Sequence, residues 1–196
     1  MTEATRDKWD GRYREATATP GPMWALQENA HLLPARGRAL DLACGLGGNA
    51  LFLAERGLEV VAWDLSPVAV QRLGAAARAR GLAVRAEVRD VAARPPTPGS
   101  FDVVTVGRYL DRSAAHAIAG ALRPGGLLFY QTFTREQVHA GGPRTPAFRL
   151  APNELLALFV GLRVRVYREE GAVGETARGF RDEAMLVAEQ ASDCAS

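Results

Sequence analysis

Residues 39–54 read ALDLACGLGGNALFLA. A short apolar run passes through Asp41, a glycine turn follows, and a helical pattern starts at Gly48. Strand, glycine turn and helix in that order hold a ligand close to the backbone. Gly45, Gly47 and Ala50 satisfy the G-x-G-x-x-G/A spacing of dinucleotide enzymes, where a pyrophosphate rests on the helix N-terminus. Three features oppose that reading. Asp41 stands ahead of the glycines, where it would repel phosphate. The chain of 196 residues leaves little room for a separate catalytic domain. Near the C-terminus, LRVRVYREE (162–170) and EAMLVAEQ (183–190) read as two strands with no helix between them, a hairpin foreign to a dinucleotide half. A ligand that tolerates Asp41 carries positive charge.

Outward from the turn, short apolar runs alternate with helical ones. RALDLA (38–43), LEVVAWD (58–64), LAVRAEV (82–88), FDVVTVG (101–107) and LLFYQTF (127–133) read as strands. The nearly continuous apolar run of 101–107 is expected at the sheet centre. Helices are expected over 48–56, stopped by Gly57, from Pro67 to about Arg80 with Ser66 as cap, over 113–122, and over 152–159. RPGG (123–126) reads as a turn, and residues 5–15 and 23–33 as short helices. The expected fold is α/β: a doubly wound, mostly parallel, Rossmann-like sheet of seven strands, with one antiparallel strand from the C-terminal hairpin. We expect one domain over 1–196, with a helical cap (1–34), a cofactor-binding core (35–135) and a loop, helix and hairpin (136–196).

Composition narrows the function. The net charge is +2, Lys8 is the only lysine, and the arginines are scattered, so no nucleic-acid partner is expected. Cys44 lies in the glycine turn and Cys194 in the tail, a spacing that suggests neither a disulfide framework nor a metal site. MTEATRDKWDGRYRE has no apolar h-region, and no apolar stretch reaches the roughly 18 residues of a membrane span. A cytoplasmic protein without a membrane partner, monomeric or homodimeric, is expected.

Together, DLACGLGG (41–48), the acid ending strand two in WDLSP (63–67), the acid after strand three in VRDVA (88–92) and LRPGG (122–126) before strand five resemble class I S-adenosylmethionine-dependent methyltransferases. The resemblance is strong over about 35–135. The ends, DKWDGRYRE and FTREQ through VYREE, are similar to small bacterial methyltransferases of the tellurite-resistance type. It implies S-adenosylmethionine as cofactor. The backbone of Ala43, Gly45 and Gly47 would line its methionine part, with Asp41 steering the ammonium. Asp64 would accept the ribose hydroxyls, Leu65 would pack on adenine, and Asp90 with the Val91 backbone would meet the adenine amino group. Arg108 and Tyr109 would border the methyl group, and Trp9 and Tyr13 would close over the cofactor. Members of the tellurite type carry a His-Arg pair before the last strand; GETARGFRDE (174–183) has Arg178 and Arg181 but no histidine.

Plainer roles stand beside these. Asp41 and Asp64 could cap the helices that follow them, Asp90 could be solvated, and Cys44 could be a small residue that fits or a reactive thiol. His31 and His116 read as structural or solvated, and Tyr130 as core. His139, in the Gly/Pro-rich loop 139–151, could touch the acceptor; Arg144 and Arg149 read as exposed-loop arginines that could bind an anionic acceptor. Methyl transfer needs a base only when the acceptor holds a proton of high pKa, so no catalytic residue can be assigned from sequence. GRYLDR (107–112) lacks the motif of amino-methylating DNA enzymes and any cysteine. A small-molecule acceptor such as a thiol or metalloid oxyanion is expected, with 139–151 as its lid. A dinucleotide oxidoreductase and a non-catalytic binding protein remain open.

Overall fold

The computed structural model describes residues 3–192; Cys194 lies outside the described residues. In chain order the elements are α1 (Glu3–Glu15), α2 (Trp24–Glu28), β1 (Arg38–Leu42), α3 (Gly48–Ala54), β2 (Glu59–Asp64), α4 (Pro67–Ala79), β3 (Val84–Val88), β4 (Phe101–Gly107), α5 (Ala115–Gly120), β5 (Leu122–Phe133), α6 (Glu154–Leu158), β6 (Arg163–Arg168) and β7 (Glu183–Glu189). Tight 3-10 turns cover Ala30–Leu32, Arg112–Ala114 and Pro146–Phe148.

The seven strands form one sheet in the order β3-β2-β1-β4-β5-β7-β6, with β4 at its centre as its apolar run requires. The β1–β5 ladders are parallel, and β7 runs antiparallel to both its neighbours. The C-terminal hairpin therefore inserts its second strand beside β5 and leaves β6 at the edge. Two apolar clusters cover the two faces. Leu40, Leu42, Val104, Val106, Ile118, Leu128 and Tyr130 pack on one; Ala39, Leu53, Val60, Leu73, Val103 and Phe129 pack on the other. Each buried aliphatic side chain there contributes about 1.5–3 kcal/mol.

The local signals acted where expected. Ser66 Oγ accepts the Ala69 N–H at 3.2 Å, and Pro67 opens α4. The helix expected over 113–122 divides into the 3-10 turn and the shorter α5. The segment 23–33 likewise divides into α2 and a 3-10 turn. RPGG lies within the span of β5, but the register with β4 jumps from Phe101↔Leu122 to Val103↔Leu127, so the four residues leave that ladder, while Gly125 and Gly126 bond to the Gln190 backbone. Among the described residues no helix is long and apolar enough to cross a membrane.

Candidate active site

The glycine turn is held from below by two acids. Asp41, at the C-terminal end of β1, is fully buried. Its Oδ1 accepts the Thr105 hydroxyl at 2.9 Å and the Asn49 amide at 3.3 Å, and its Oδ2 accepts the Ala50 N–H at 3.1 Å. Asp41 thus does cap the first turn of α3, and its carboxylate is enclosed; any action on a ligand is through its charge across the turn, not by touch. Burial pushes its carboxyl up to about 7, against the pull of the Thr105, Asn49 and Ala50 donors. Asp64 ends β2. Its Oδ2 accepts the Gly45 N–H at 2.8 Å and its Oδ1 the Ser66 N–H at 2.9 Å. It therefore fixes the turn and shapes the start of α4 together. Burial raises its pKa too, opposed by those backbone donors. A carboxylate has about four lone-pair sites, and the backbone donors do not fill them all, which leaves room for a ligand hydroxyl. Among the described residues neither Asp41 nor Asp64 has an ion-pair partner.

The glycines are placed for close approach. Gly45 and Gly47 have φ of +51° and +84°, the left-handed region that favours glycine. A Cβ on Gly47 would stand 2.2 Å from a Leu73 methyl, so this glycine lets α4 pack against the turn. A Cβ on Gly48 would stand 2.5 Å from the Gly21 carbonyl oxygen, so the 20–21 segment drapes directly over the start of α3. Met23 N–H adds a 2.9 Å bond to Asn49 Oδ1. Cys44 is buried, and desolvation first, then the Asp41 and Asp64 charges, push its thiol well up. Its burial and raised thiol fit the reading of a small packing residue.

Helix α1 lies across this site. Its buried Asp10 accepts the Ser66 hydroxyl, and Arg72 donates to the Tyr13 and Ala16 carbonyls. Trp9 stacks on Tyr13 at 5.7 Å. The Tyr13 hydroxyl sits 3.0 Å from where a Gly45 Cβ would be, and burial followed by the Asp64 charge raises its pKa. Leu65 is half-buried beside the turn. Asp90 accepts the Ala92 N–H at 3.0 Å, and the Val91 side chain is buried in the core.

A second feature opens at the C-terminal ends of β4 and β5. It is a cleft of about 380 Å³ lined by Trp24, Arg108, Gln131, His139, Phe180 and Glu183 among others. Arg108, with φ +53°, directs Nε to Glu183 Oε1 at 3.0 Å. Gln131 donates to the other Glu183 oxygen and accepts the Ala25 N–H at 2.7 Å. Trp24 stacks on Phe180 at 4.8 Å. His139 Nδ1 lies 2.7 Å from Asp182 Oδ2.

The structure thus brings Asp41, Ala43, Gly45, Gly47, Asp64 and Tyr13 together at the turn, with Trp9 stacked on Tyr13, and Arg108 and His139 at the cleft. It separates others. Tyr109 packs on the apolar core, and its hydroxyl donates to Asp111 at 3.3 Å; it does not line the cleft with Arg108. Arg144 is exposed and away from the lining. Arg149 is not exposed: it is buried, donating to Pro143 O at 2.6 Å, Thr134 O at 2.8 Å and Gly141 O, and so straps the 134–149 loop. Its flanking Gly/Pro residues leave many carbonyls without ladder partners, and a guanidinium satisfies several together. His31 and His116 are exposed and Tyr130 is core. Gln131, Glu183, Asp182, Trp24 and Phe180 were not singled out from sequence. The only hint was that Trp24 and Phe180 are large aromatics in segments of weak periodicity.

Comparison with known proteins agrees with this geometry. Residues 39–126 match the family model described as a methyltransferase domain. A ubiquinone biosynthesis O-methyltransferase of Xanthomonas axonopodis pv. citri is 35% identical over 138 residues, 63% of this chain and 57% of that protein. A tRNA 5-carboxymethoxyuridine methyltransferase of Escherichia coli is 30% identical over 147 residues, 63% and 56%. The chain spans little more than half the length of these curated relatives. Among solved structures, a protein studied for the conversion of a disulfide bond into a thioacetal group during echinomycin biosynthesis superposes with TM-score 0.71 at 26% identity, over 98% of this chain and 94% of that one. TehB of Haemophilus influenzae gives TM-score 0.71 at 21% identity, over 94% and 66%, a likeness of fold. Residues 39–126 thus match a methyltransferase-domain family, and the chain shares the fold of these solved structures.

Proposed function

We propose that the chain transfers a methyl group from S-adenosylmethionine to a small-molecule acceptor entering the cleft beside Arg108 and Gln131. The observation that carries the cofactor half is the pair of buried acids, Asp41 and Asp64, without cationic partners. A pyrophosphate on the turn would meet the Asp41 charge, whereas an ammonium and a sulfonium would be attracted by it; Asp64, 19 residues after Gly45, suits a ribose in either ligand. Backbone groups of Ala43, Gly45 and Gly47 would line the methionine part, and Asp64 would offer its remaining lone pairs to the ribose. Leu65 would pack on adenine, with Asp90 and the Val91 backbone at its amino edge. Trp9 and Tyr13 on α1 would exclude water from above.

When bound, the cofactor supplies a methyl group already activated on sulfur. The chain's own contribution is placement. The Arg108–Glu183–Gln131 chain fixes the floor of the cleft, and the Arg149 strap holds the loop at its rim. Orientation of this kind is worth effective molarities of about 10⁵–10⁸ M. A volume of about 380 Å³ suits a small molecule. The finer resemblance, to the tellurite-resistance type, rests on the chain ends; with no histidine in 174–183, the proposal is kept to small nucleophiles as a class.

Calorimetric titration with S-adenosylmethionine and S-adenosylhomocysteine, with NADH and NADPH as controls, tests the reading. Binding of the first pair alone is the expected result. Binding of a nicotinamide cofactor alone would overturn it.

A further inference from the structure

We propose that His139 and Asp182 form a general-base dyad at the cleft, so that the acceptor arrives with its proton, as an aromatic hydroxyl does. This rests on the methyl-transfer reading and adds to it the ionisation state of the acceptor. Asp182 grips His139 twice. Its Oδ2 meets the ring Nδ1 at 2.7 Å, and its Oδ1 accepts the His139 backbone N–H at 3.1 Å and that of Val138. To do so Asp182 adopts φ +65°, a conformation aspartate tolerates better than most residues. The carboxylate beside Nδ1 makes that nitrogen the one carrying hydrogen and leaves the Nε2 lone pair free. An imidazole held by an acid in this way is the arrangement that takes a proton from a nucleophile.

Anchoring the loop would need only the backbone bonds; the ring bond is additional. The ring is also reachable, since the His139 side chain is 62% exposed at the cleft lining. The other charged groups facing the cleft leave it available. Arg108 and Glu183 neutralise each other. Arg181 is committed to the Gly171 and Val173 carbonyls at 2.9 Å and Glu175 O at 3.0 Å. Arg178 is exposed on the 171–182 loop. The Trp24–Phe180 stack, with planes 20° apart and the Arg168 guanidinium 4.9 Å from the Trp24 ring, gives the cleft an aromatic side that an aromatic acceptor could meet.

The step balances. The acceptor O–H bond breaks and its proton passes to His139 Nε2. The electron pair left on oxygen forms the new O–C bond while the old S–C pair stays on sulfur. The imidazolium then releases the proton to water. His139 is the catalytic residue and Asp182 a positioning residue.

Two readouts test the dyad without turnover. Nitrogen-15 spectra, assigned with His139→Gln, should show His139 in the Nδ1–H tautomer. Next, 4-nitrophenol is added to protein saturated with S-adenosylhomocysteine, about one pH unit below the phenol's solution midpoint. Binding should raise the phenolate absorption band. His139→Gln should abolish that rise. Asp182→Asn, which keeps an acceptor for the backbone N–H groups, should cut the bound phenolate-to-phenol ratio by about tenfold, because the charge that favours the imidazolium is gone. An Nε2–H tautomer, a phenol bound in neutral form, or no phenol binding would overturn the dyad. Failure of S-adenosylhomocysteine to bind would instead overturn the methyl-transfer reading, and the tautomer would still report on the dyad.

Discussion

Two regions of this molecule handle their acids in opposite ways. Under the glycine turn, Asp41 and Asp64 are held by hydroxyl, amide and backbone N–H donors only. Around the cleft, each acid has a cationic or imidazole partner: Glu183 with Arg108, Asp182 with His139, Glu170 with Arg168 and Arg181. Buried charges are tolerated when paired, and otherwise burial drives them toward the neutral form. The turn is therefore left without a cation of its own, which a positively charged ligand would supply. The cleft is complete in itself and uses its ion pairs to hold shape.

The strongest way to break this contrast is to block the turn sterically. A valine at position 45 would be β-branched at φ +51°, with its Cβ 3.0 Å from the Tyr13 hydroxyl. Gly45→Val should weaken S-adenosylmethionine binding by about 100-fold or more, equivalent to ~2.7 kcal/mol. The circular dichroism spectrum should stay folded. Normal affinity in a calorimeter would mean that no ligand approaches this backbone.

Asp64→Ala should have the next largest effect. Loss of hydrogen bonds from a charged acceptor predicts affinity weaker by about 1.5–3 kcal/mol. The Gly45 and Ser66 N–H groups also lose their acceptor, so the thermal midpoint should fall as well. An unchanged dissociation constant would sink the ribose assignment.

How far the sequence reaches also divides along these two regions. At the turn, the glycines, both acids and their backbone donors lie within short segments, Asp41 to Ala50 on one unit and Asp64 to Ala69 on the next, while Thr105, Met23 and α1 come from farther away. Glycines, the Ser66–Pro67 cap and the apolar runs mark those segments directly. The cleft is assembled from distant pieces. Gln131 and Glu183 lie 52 positions apart, Ala25 and Gln131 106 apart, and His139 and Asp182 43 apart. No local pattern joins them. The antiparallel hairpin was legible from two strands without a helix between them, and the continuous apolar run AMLVA (184–188), beside the arginine-interrupted RVRVYR (163–168), is the signal that fits β7 to the inner position. Arg149 misled because its burial comes from loop carbonyls whose directions only the folded chain sets.

Solution pH offers a finer probe of the incomplete charge. Burial holds the Asp41 carboxyl up to about 7, above its unfolded value near 4. The folded protein without ligand therefore binds an extra proton between those values. That stabilisation is fully present below about pH 4 and lost as pH rises through 7. A cationic ligand favours the ionised form instead and expels the proton. Between pH 5.5 and 7 the dissociation constant for S-adenosylmethionine should fall with rising pH, by at most about tenfold per unit, and level off above 7. A flat profile would mean that the Asp41 charge is not coupled to the ligand.

The smallest expected effect sharpens the boundary between the regions. Arg108 follows β4, at the point where cofactor and acceptor would meet, and its sequence position fits either role. In the folded chain its guanidinium is 66% exposed and its partner is Glu183, on the cleft side. An ion pair with one partner so exposed contributes about 0–1 kcal/mol to stability. Arg108→Gln should leave the thermal midpoint nearly unchanged and the S-adenosylmethionine affinity within about twofold, since no Coulombic partner is lost at the turn. What should change is the cleft, where Glu183 keeps Gln131 but loses its cation, so binding of an acceptor-like phenol should weaken more than that of the cofactor. If cofactor affinity falls as far as phenol affinity, Arg108 serves both ligands, and the division between a charge-incomplete turn and a self-neutralised cleft does not hold at the residue where the two meet.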